Sequence, residues 1–352
     1  MKSKVISLPF KVKKPVLGLG SQLKNTLCFM KGSRAFLSRI HPDLSSPQDL
    51  ADFDREAVLF LGKKPKAIAC DLHPGYSSSQ YIPQALKVQH HHAHIASCMA
   101  ENMVKSGKVI GVAFDGTGLG DEGSIWGAEF LVCSYKSYKR AAHLKEVPLV
   151  GGEAAILEPW RLVCAWLGFP AKLDKSGKLK KAYLSRINAP LASSMGRLFD
   201  AAGSIILNKR SVNLEAELAI RLEEKASRFK GNAEAYKFGF SRRKGMYIID
   251  PLPALKQIIL DLAQGRPKEN TAYRFHLTVA SMISRACLAI RRESGVNKVA
   301  ISGGVFQNKL LLRLASDLLY KEGFKVLTHR QLSCNDSCVS LGQAAVAHFN
   351  SR

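Results

Sequence analysis

The segment VQHHHAHIASC (88–98) places four histidines in five positions, and FDGTGLGDEG (114–123) follows closely behind it. His90 and His94 are four residues apart. On a helix they share one face, with Cβ atoms roughly 5–6 Å apart. Two imidazoles at that spacing can bind one metal ion through their ring nitrogens. His91 and His92 point elsewhere and need another role or none. A solvated histidine run is the bland alternative. Against it, the continuation IASCM is apolar and small, the pattern of a helix packed in the interior.

A metal here needs more than two ligands, and iron or zinc would accept carboxylate oxygen. Asp115 ends an expected strand that starts at Val109, where open α/β sheets place their ligands. Asp336 stands in LSCNDSC (332–338), just before the last expected helix. Two histidines with one or two aspartates, and positions left for substrate, make a catalytic site, with His90, His94 and Asp115 as its catalytic candidates. Either aspartate alone is more commonly a turn or cap residue. Cys334 and Cys338 flank Asp336 and read as buried structural thiols rather than soft ligands.

GLGDEG (118–123) satisfies GxGxxG literally, but Asp121 and Glu122 inside the turn would repel a pyrophosphate, and SIWGAEFLVCS after it reads as a strand. A Rossmann site is excluded, and no GxxxxGK[ST] is present. Two glycine turns, DGTG (115–118) and SGGV (302–305), fit another arrangement, in which two lobes face each other and hold phosphate by backbone N–H groups. It resembles actin, sugar kinases and Hsp70.

The elements that must position these residues alternate as in an α/β protein. Strands are expected at 15–19, 66–71, 109–115, 129–133, 299–302 and 325–328. Helices are expected at 47–61, 90–105, 159–166, 214–229, 253–263, 272–292, 308–322 and 339–349. The expected organisation is a basic extension (1–14), a first lobe (15–148) to which 339–352 returns, and a second lobe (149–338). The junction falls in PLVGGE (148–153), and the lysine-rich stretch 172–186 reads as a loop or insertion.

Bulk properties set the class. The chain has 352 residues, a net charge of +24 and eight cysteines without a CxxC pair. A zinc finger is excluded on that spacing. No apolar run approaches the ~18 residues of a membrane helix, and Val5–Phe10 is too short for a signal sequence, so a cytoplasmic protein without a membrane partner is expected. The positive field attracts anions, without saying which. No nucleic-acid motif accompanies it, so a nucleic-acid partner is not favoured.

The ordered motifs LGLGSQLKNTLC (17–28), DLHPGY (71–76), VQHHHAHIASCMAE (88–101), FDGTGLGDEGSIWGAEFL (114–131), SSMGRLFDA (193–201), RFH (274–276), ISGGVFQN (301–308) and CNDSCVSLGQA (334–344) resemble the C-terminal carbamoyl-transfer domain of HypF-type hydrogenase maturation proteins. The resemblance covers nearly the whole chain after about residue 14. A more distant likeness is to transferases that place threonylcarbamoyl on tRNA. The resemblance implies a two-lobed fold of the actin/Hsp70 class (ASKHA). It implies a divalent metal, iron or zinc, and carbamoyl-adenylate, AMP or ATP as the bound nucleotide. It also implies a HypE-like acceptor whose C-terminal cysteine receives the carbamoyl group on the way to a cyanide ligand.

By this resemblance His90, His94, Asp115 and Asp336 are the metal ligands. Gly116, Thr117, Gly118, Gly303, Gly304 and Asn308 border the nucleotide, and Arg197 and Glu215 line the substrate groove. The modules that make the adenylate in such proteins are not recognisable here, so a separate adenylate-forming protein is expected. Two patterns depart from the family. NDGG reads NDSC (335–338), and YEGQ reads LEAE (214–217). Three readings follow: a carbamoyltransferase acting on a protein thiol or a small-molecule hydroxyl, a tRNA-modifying transferase, and a non-catalytic nucleotide-binding scaffold. The retained ligands disfavour the last.

Overall fold

The computed structural model describes residues 4–351. Its strands form two main sheets with helices against them, the two-lobed α/β arrangement expected. The smaller sheet runs, in spatial order, Cys28–Leu37, Lys4–Gly18, Ala67–Asp71 and Leu86–Val88. The larger runs Gly239–Arg243, Met246–Asp250, Tyr138–Leu144, Ile125–Cys133, Val109–Leu119, Lys298–Ser302 and Lys325–Leu327. Two short strands, Val147–Pro148 and Leu191–Ser194, branch from Ile125–Cys133. Val109–Leu119 pairs antiparallel with Ile125–Cys133 and parallel with Lys298–Ser302, so a strand from each glycine motif lies side by side in one sheet.

That pairing corrects the expected lobe junction. A cut at 148–153 would divide the larger sheet, because Tyr138–Leu144 pairs with Met246–Asp250 and Val109–Leu119 with Lys298–Ser302. The chain changes sheets between Val88 and Val109, across the histidine helix. The expected basic extension is also corrected over residues 4–14. They are the first part of strand Lys4–Gly18, burying Ile6, Leu8 and Val12 against the sheet's helices while lysines face outward. The extension's first three residues lie outside the described residues. The stretch 172–186 contains a short helix, Lys178–Leu184.

The helix His90–Glu101 is buried along its whole length, all twelve residues of it. A helix without a polar face needs neighbours on every side. It has them in the larger sheet, the smaller sheet and the C-terminal helix Val339–Asn350, which returns to this lobe as expected. The two helices cross so closely that a Cβ on Gly342 would lie 1.8 Å from Ala93 O, and one on Gly18 would lie 2.2 Å from Ser340 O. Among the described residues no helix is long and apolar enough to cross a membrane.

Helix Met195–Leu207 was not expected. Gly196 and Gly203 weaken its helical signature, yet both are needed. A Cβ on Gly196 would press on Gly116 Cα at 2.9 Å, and one on Gly203 on Leu218 Cβ at 2.7 Å. The helix expected at 214–229 spans Glu217–Ser227 and begins after Ala216, which sits in the left-handed region at φ 61. Alanine is strained there by about 1–2 kcal/mol, which gives physical content to the glycine of the expected pattern. The long helix Lys268–Ser294 is tied to Lys309–Lys321 through a buried histidine. His276 Nδ1–H donates to Ala272 O at 2.8 Å, and Asn308 Nδ2 donates to His276 Nε2 at 2.9 Å.

Two outcomes follow from this packing. Gly342→Ala should lower stability by about 2–3 kcal/mol, because the added methyl meets backbone that cannot yield without moving the histidine helix; urea unfolding measures it. Burial also pushes His276 down to about 4, against its hydrogen bond to Ala272. The unfolded chain therefore binds a proton that the folded chain refuses, and stability present above pH 6.5 is lost as pH falls toward 4. Relative to His276→Gln, the wild-type chain should lose about 3 kcal/mol over that interval in urea titrations.

Candidate active site

Gln89 starts the histidine helix, its side chain accepting from His92 N at 2.9 Å. This sets His90 and His94 one turn apart on the face toward Asp115 and Asp336, with ring centroids 4.8 Å apart. Asp115 lies in strand Val109–Leu119 where the pairing with Ile125–Cys133 slips between Phe114 and Gly118. Asp336 opens a 3₁₀ turn, Asp336–Cys338, before the last helix. His94 Nε2 is 3.0 Å from Asp115 Oδ2 and 3.6 Å from Asp336 Oδ1; His90 Nε2 is 4.0 and 3.8 Å from the same atoms. Bond lengths of about 2.0–2.2 Å to one ion leave neighbouring ligand atoms separated by about 3–4 Å.

The structure therefore brings together the four residues expected as ligands, and their donor atoms all lie within 4.8 Å of one another. Among the described residues, buried His90 Nε2 has no hydrogen-bond partner, and His94 Nε2 and Asp115 Oδ2 have nothing nearer than each other, 3.0 Å apart. A buried nitrogen left without a partner is costly unless something satisfies it. Two nitrogens and two carboxylate oxygens fit a divalent first-row ion. The same electrostatics draw protons. Burial pulls His90 down, but Asp71 and Asp336 outweigh it and hold the ring at about 9. Burial also opposes the charged form of His94, and Cys338 and Asp115 raise it well above its ordinary value. Burial favours protonated Asp336, and the two rings bring it down to about 2. A cation and protons compete for one set of atoms.

His91 and His92 take structural roles. His92 Nε2 donates to Ser134 O at 2.7 Å. His91 packs against Gly118, where a Cβ would sit 2.5 Å from its ring, and burial holds it neutral, well below its ordinary value.

In front of the four ligands opens a cleft of about 400 Å³. Asp115, Gly116, Thr117, Arg197, Glu215, Gly304 and Asn308 line it, as do Lys24 and Asp200, which sequence reasoning missed. Arg197 Nη2 donates to Glu215 Oε1 at 2.8 Å, and its Nη1 lies 3.3 Å from Asp200 Oδ2. Arg197 Nε and Nη1 make no hydrogen bond. Burial raises Asp200 to about 6, with Arg197 opposing. Glu217, one of the departures from the expected pattern, faces away from the cleft: it accepts from Asn213 N and pairs with Arg221.

The glycines act differently from the expected phosphate cradle. Gly303 N–H donates to Cys334 O at 2.9 Å and Gly304 N–H to Asp115 Oδ1 at 2.8 Å, so both amides are occupied. Asn308 is likewise spent, with Oδ1 accepting from Leu311 N and Nδ2 donating to His276. Gly118 lies beside the histidines rather than at the cleft wall. Asp71 was missed as well. Its Oδ2 sits 2.8 Å from His90 Nδ1, fixing that ring from behind. Like Asp115 it closes an expected strand ahead of a polar glycine turn, and that shared pattern could have revealed it.

The family model described as "Carbamoyltransferase, Kae1-like Domain, second subdomain" matches residues 111–343, and the HypF Kae1-like domain matches residues 11–101. The carbamoyltransferase HypF of Synechocystis is 35% identical over 374 residues, spanning 96% of this chain and 48% of that protein. A carbamoyltransferase HypF homolog of Cupriavidus necator is 33% identical over 95% of this chain and 91% of its own length. The crystal structure of a full-length HypF in the phosphate- and nucleotide-bound form superposes with a TM-score of 0.91 at 37% identity, over 98% of this chain and 48% of that one. This chain thus spans about half the length of the Synechocystis and crystallised proteins and nearly all of the C. necator homolog. With a family profile covering most of its length and a 33% identical relative matched over 91% of its own length, the chain belongs to the HypF Kae1-like carbamoyltransferase family.

Proposed function

We propose that this chain transfers a carbamoyl group from carbamoyl-adenylate, bound in the cleft, to a thiolate brought by a HypE-like partner during assembly of a hydrogenase cyanide ligand. The observation that carries the reading is the convergence of four ligand atoms at the head of a cleft of small-molecule size. The naming of the family, and a relative crystallised with phosphate and nucleotide, support it.

In this reading the adenylate reaches the cleft preformed. The acceptor thiolate attacks the carbamoyl carbon, the bond from that carbon to the phosphate oxygen breaks, and AMP leaves with the electron pair. The chain needs no nucleophile of its own. An iron or zinc ion held by His90, His94, Asp115 and Asp336 supplies, when bound, positive charge that orients the phosphate and polarises the reacting oxygen. Gly304 N–H holds one oxygen of Asp115 and turns the other toward the histidines. Arg197 offers Nε, which makes no hydrogen bond, to the departing phosphate, while Glu215 and Asp200 hold its two Nη atoms.

The charge of the cleft favours an ion. Five acidic side chains line it (Asp115, Asp200, Glu215, Glu223 and Asp336) against two cationic ones (Lys24 and Arg197). The chain's charge of +24 does not extend into its own cleft. A bare anionic adenylate would meet net repulsion there, which a divalent ion offsets.

The test offers synthetic carbamoyl-AMP with and without a peptide ending in cysteine, and follows AMP release and peptide mass. The expected outcome is AMP release that requires the thiol, a thiocarbamate on the peptide, and about one metal ion per chain. The double variant His90→Ala with His94→Ala should lose the ion and slow transfer by about 100-fold or more. Full metal occupancy in that variant would overturn the ligand assignment, and AMP release indifferent to the thiol would overturn the acceptor.

A further inference from the structure

Behind the ligand histidines lies a run of buried polar groups that the transfer chemistry does not touch. His90 rests directly on a carboxylate, Asp71. His94 does not. Its Nδ1 lies 3.1 Å from Ser302 Oγ and 3.4 Å from Cys338 Sγ. Ser302 Oγ is 2.9 Å from His329 Nε2, and His329 Nδ1 is 2.7 Å from Glu101 Oε2. The other oxygen of Glu101 accepts backbone N–H groups of Arg330, Gln331 and Leu332. Ser302 is fully buried, and the Glu101 and His329 side chains are 1% and 3% exposed.

Carboxylate, imidazole and hydroxyl in this order make the constellation of a hydrolytic triad. Here the hydroxyl is no nucleophile. It ends strand Lys298–Ser302 with no opening to the cleft, and the direction a substrate would need is filled by the His94 ring. An imidazole that ligates through Nε2 while neutral carries its proton on Nδ1 and needs an acceptor there. A lone serine hydroxyl rotates freely and makes a poor fixed acceptor. His329 removes that freedom, and Glu101 fixes His329.

We propose that Glu101, His329 and Ser302 form a positioning relay that sets the ring orientation and tautomer of His94, so that its Nε2 lone pair faces the ion. With His329 singly protonated, Nε2 accepts the serine proton. With it doubly protonated, Nε2–H donates to Oγ and the serine proton turns toward Cys338 Sγ, 3.9 Å away. In both states Oγ keeps a lone pair for His94 Nδ1–H. The relay also closes a loop in the chain. Glu101 ends the helix that carries His94, and the relay ties that helix, at His94 and at its last residue, to the end of strand Lys298–Ser302 and to the segment that follows strand Lys325–Leu327.

The inference rests on the metal reading above, and cobalt(II) tests the two separately. Metal-free full chain is titrated with cobalt against a chromophoric chelator, for wild type, Ser302→Ala, His329→Ala, His329→Gln and Cys338→Ala. Wild type should take about one ion. Ser302→Ala and His329→Ala should bind it about 10–100-fold more weakly. His329→Gln, which keeps a side-chain amide within reach of Ser302, should recover most of that loss, and Cys338→Ala should weaken binding less than Ser302→Ala does, because Cys338 takes the serine proton in only one of the two states.

Proton NMR of the cobalt-loaded protein gives a second readout. Two hyperfine-shifted imidazole N–H signals should exchange slowly with solvent, one from each ligand ring. Ser302→Ala should leave only the His90 signal protected, and His329→Ala should do the same. Should His329→Ala fail to fold, Ser302→Ala and His329→Gln decide the matter. Wild-type affinity with both protected signals in Ser302→Ala would overturn the relay while leaving the ion in place. A wild-type chain that takes no cobalt would overturn the ion itself and the relay with it. Labelling of Ser302 by a serine-directed phosphonate would also overturn the proposal, since the relay requires a sealed hydroxyl.

Discussion

Helix His90–Glu101 and helix Val339–Asn350 meet at a distance that only a missing side chain allows, with Gly342 against the Ala93 carbonyl. The proposed centre takes its geometry from that crossing. It presses the histidine helix between two sheets and buries every residue of it. Burial in turn leaves the ring nitrogens dependent on protein partners. One nitrogen of each of these two rings, His90 and His94, is satisfied from behind, by Asp71 or by Ser302, and the other points at Asp115 and Asp336. Had the helix one wet face, water would satisfy those nitrogens and nothing would single out the point where they converge.

Burial also explains how a strongly basic protein keeps an acidic cleft. The lysines and arginines sit largely on the outer surface, where solvent and salt screen them within about 10 Å. Two of the cleft's carboxylates, Asp115 in a strand and Asp336 in a turn, are stabilised at close range by a backbone amide or by neighbouring rings. Asp115 is held by Gly304 N–H, and Asp336 by two histidines. Short-range contacts in a partly buried site therefore prevail over a large but distant net charge.

The four residues that the structure brings together were legible in the sequence because a proposed metal site draws on particular residue types at particular spacings. The i, i+4 histidines and the aspartates at a strand end and before a helix are local patterns. Most elements carrying them were legible for the same reason; helix Pro47–Leu61, with its proline at the start, ends where the periodicity does. What was hidden depends on tertiary contact. Cys28–Leu37 is interrupted by the exposed run Lys31–Arg34 and becomes a strand only by pairing with Lys4–Gly18. Met195–Leu207 carries glycines that look like helix breakers until Gly116 and Leu218 are seen against them. The lobe junction was misplaced because PLVGGE has the composition of a linker, whereas the real change of sheet runs through a buried helix with no such signature. Glu101, His329 and Ser302 are hundreds of residues apart in part, and no spacing rule joins them.

The glycines show most clearly how one sequence pattern admits two physical meanings. Read locally, DGTG and ISGG are loops whose free amides cradle phosphate. In the folded chain they are the places where backbones touch. Gly303 adopts φ 108, and a Cβ there would fall 2.1 Å from Phe114 O; one on Gly304 would fall 2.8 Å from Asp115 Oδ1. The absence of side chains lets the turn after strand Lys298–Ser302 bring the Gly304 amide directly to the Asp115 carboxylate. The turn thereby acts on the proposed reaction through a ligand, not through the nucleotide. In the proposed reaction, phosphate recognition then rests on Arg197, a buried cation of the cleft. Glu215 and Asp200 hold its two Nη atoms in place and leave Nε without a hydrogen bond, so the proposed anion-binding arginine is positioned but not fully satisfied.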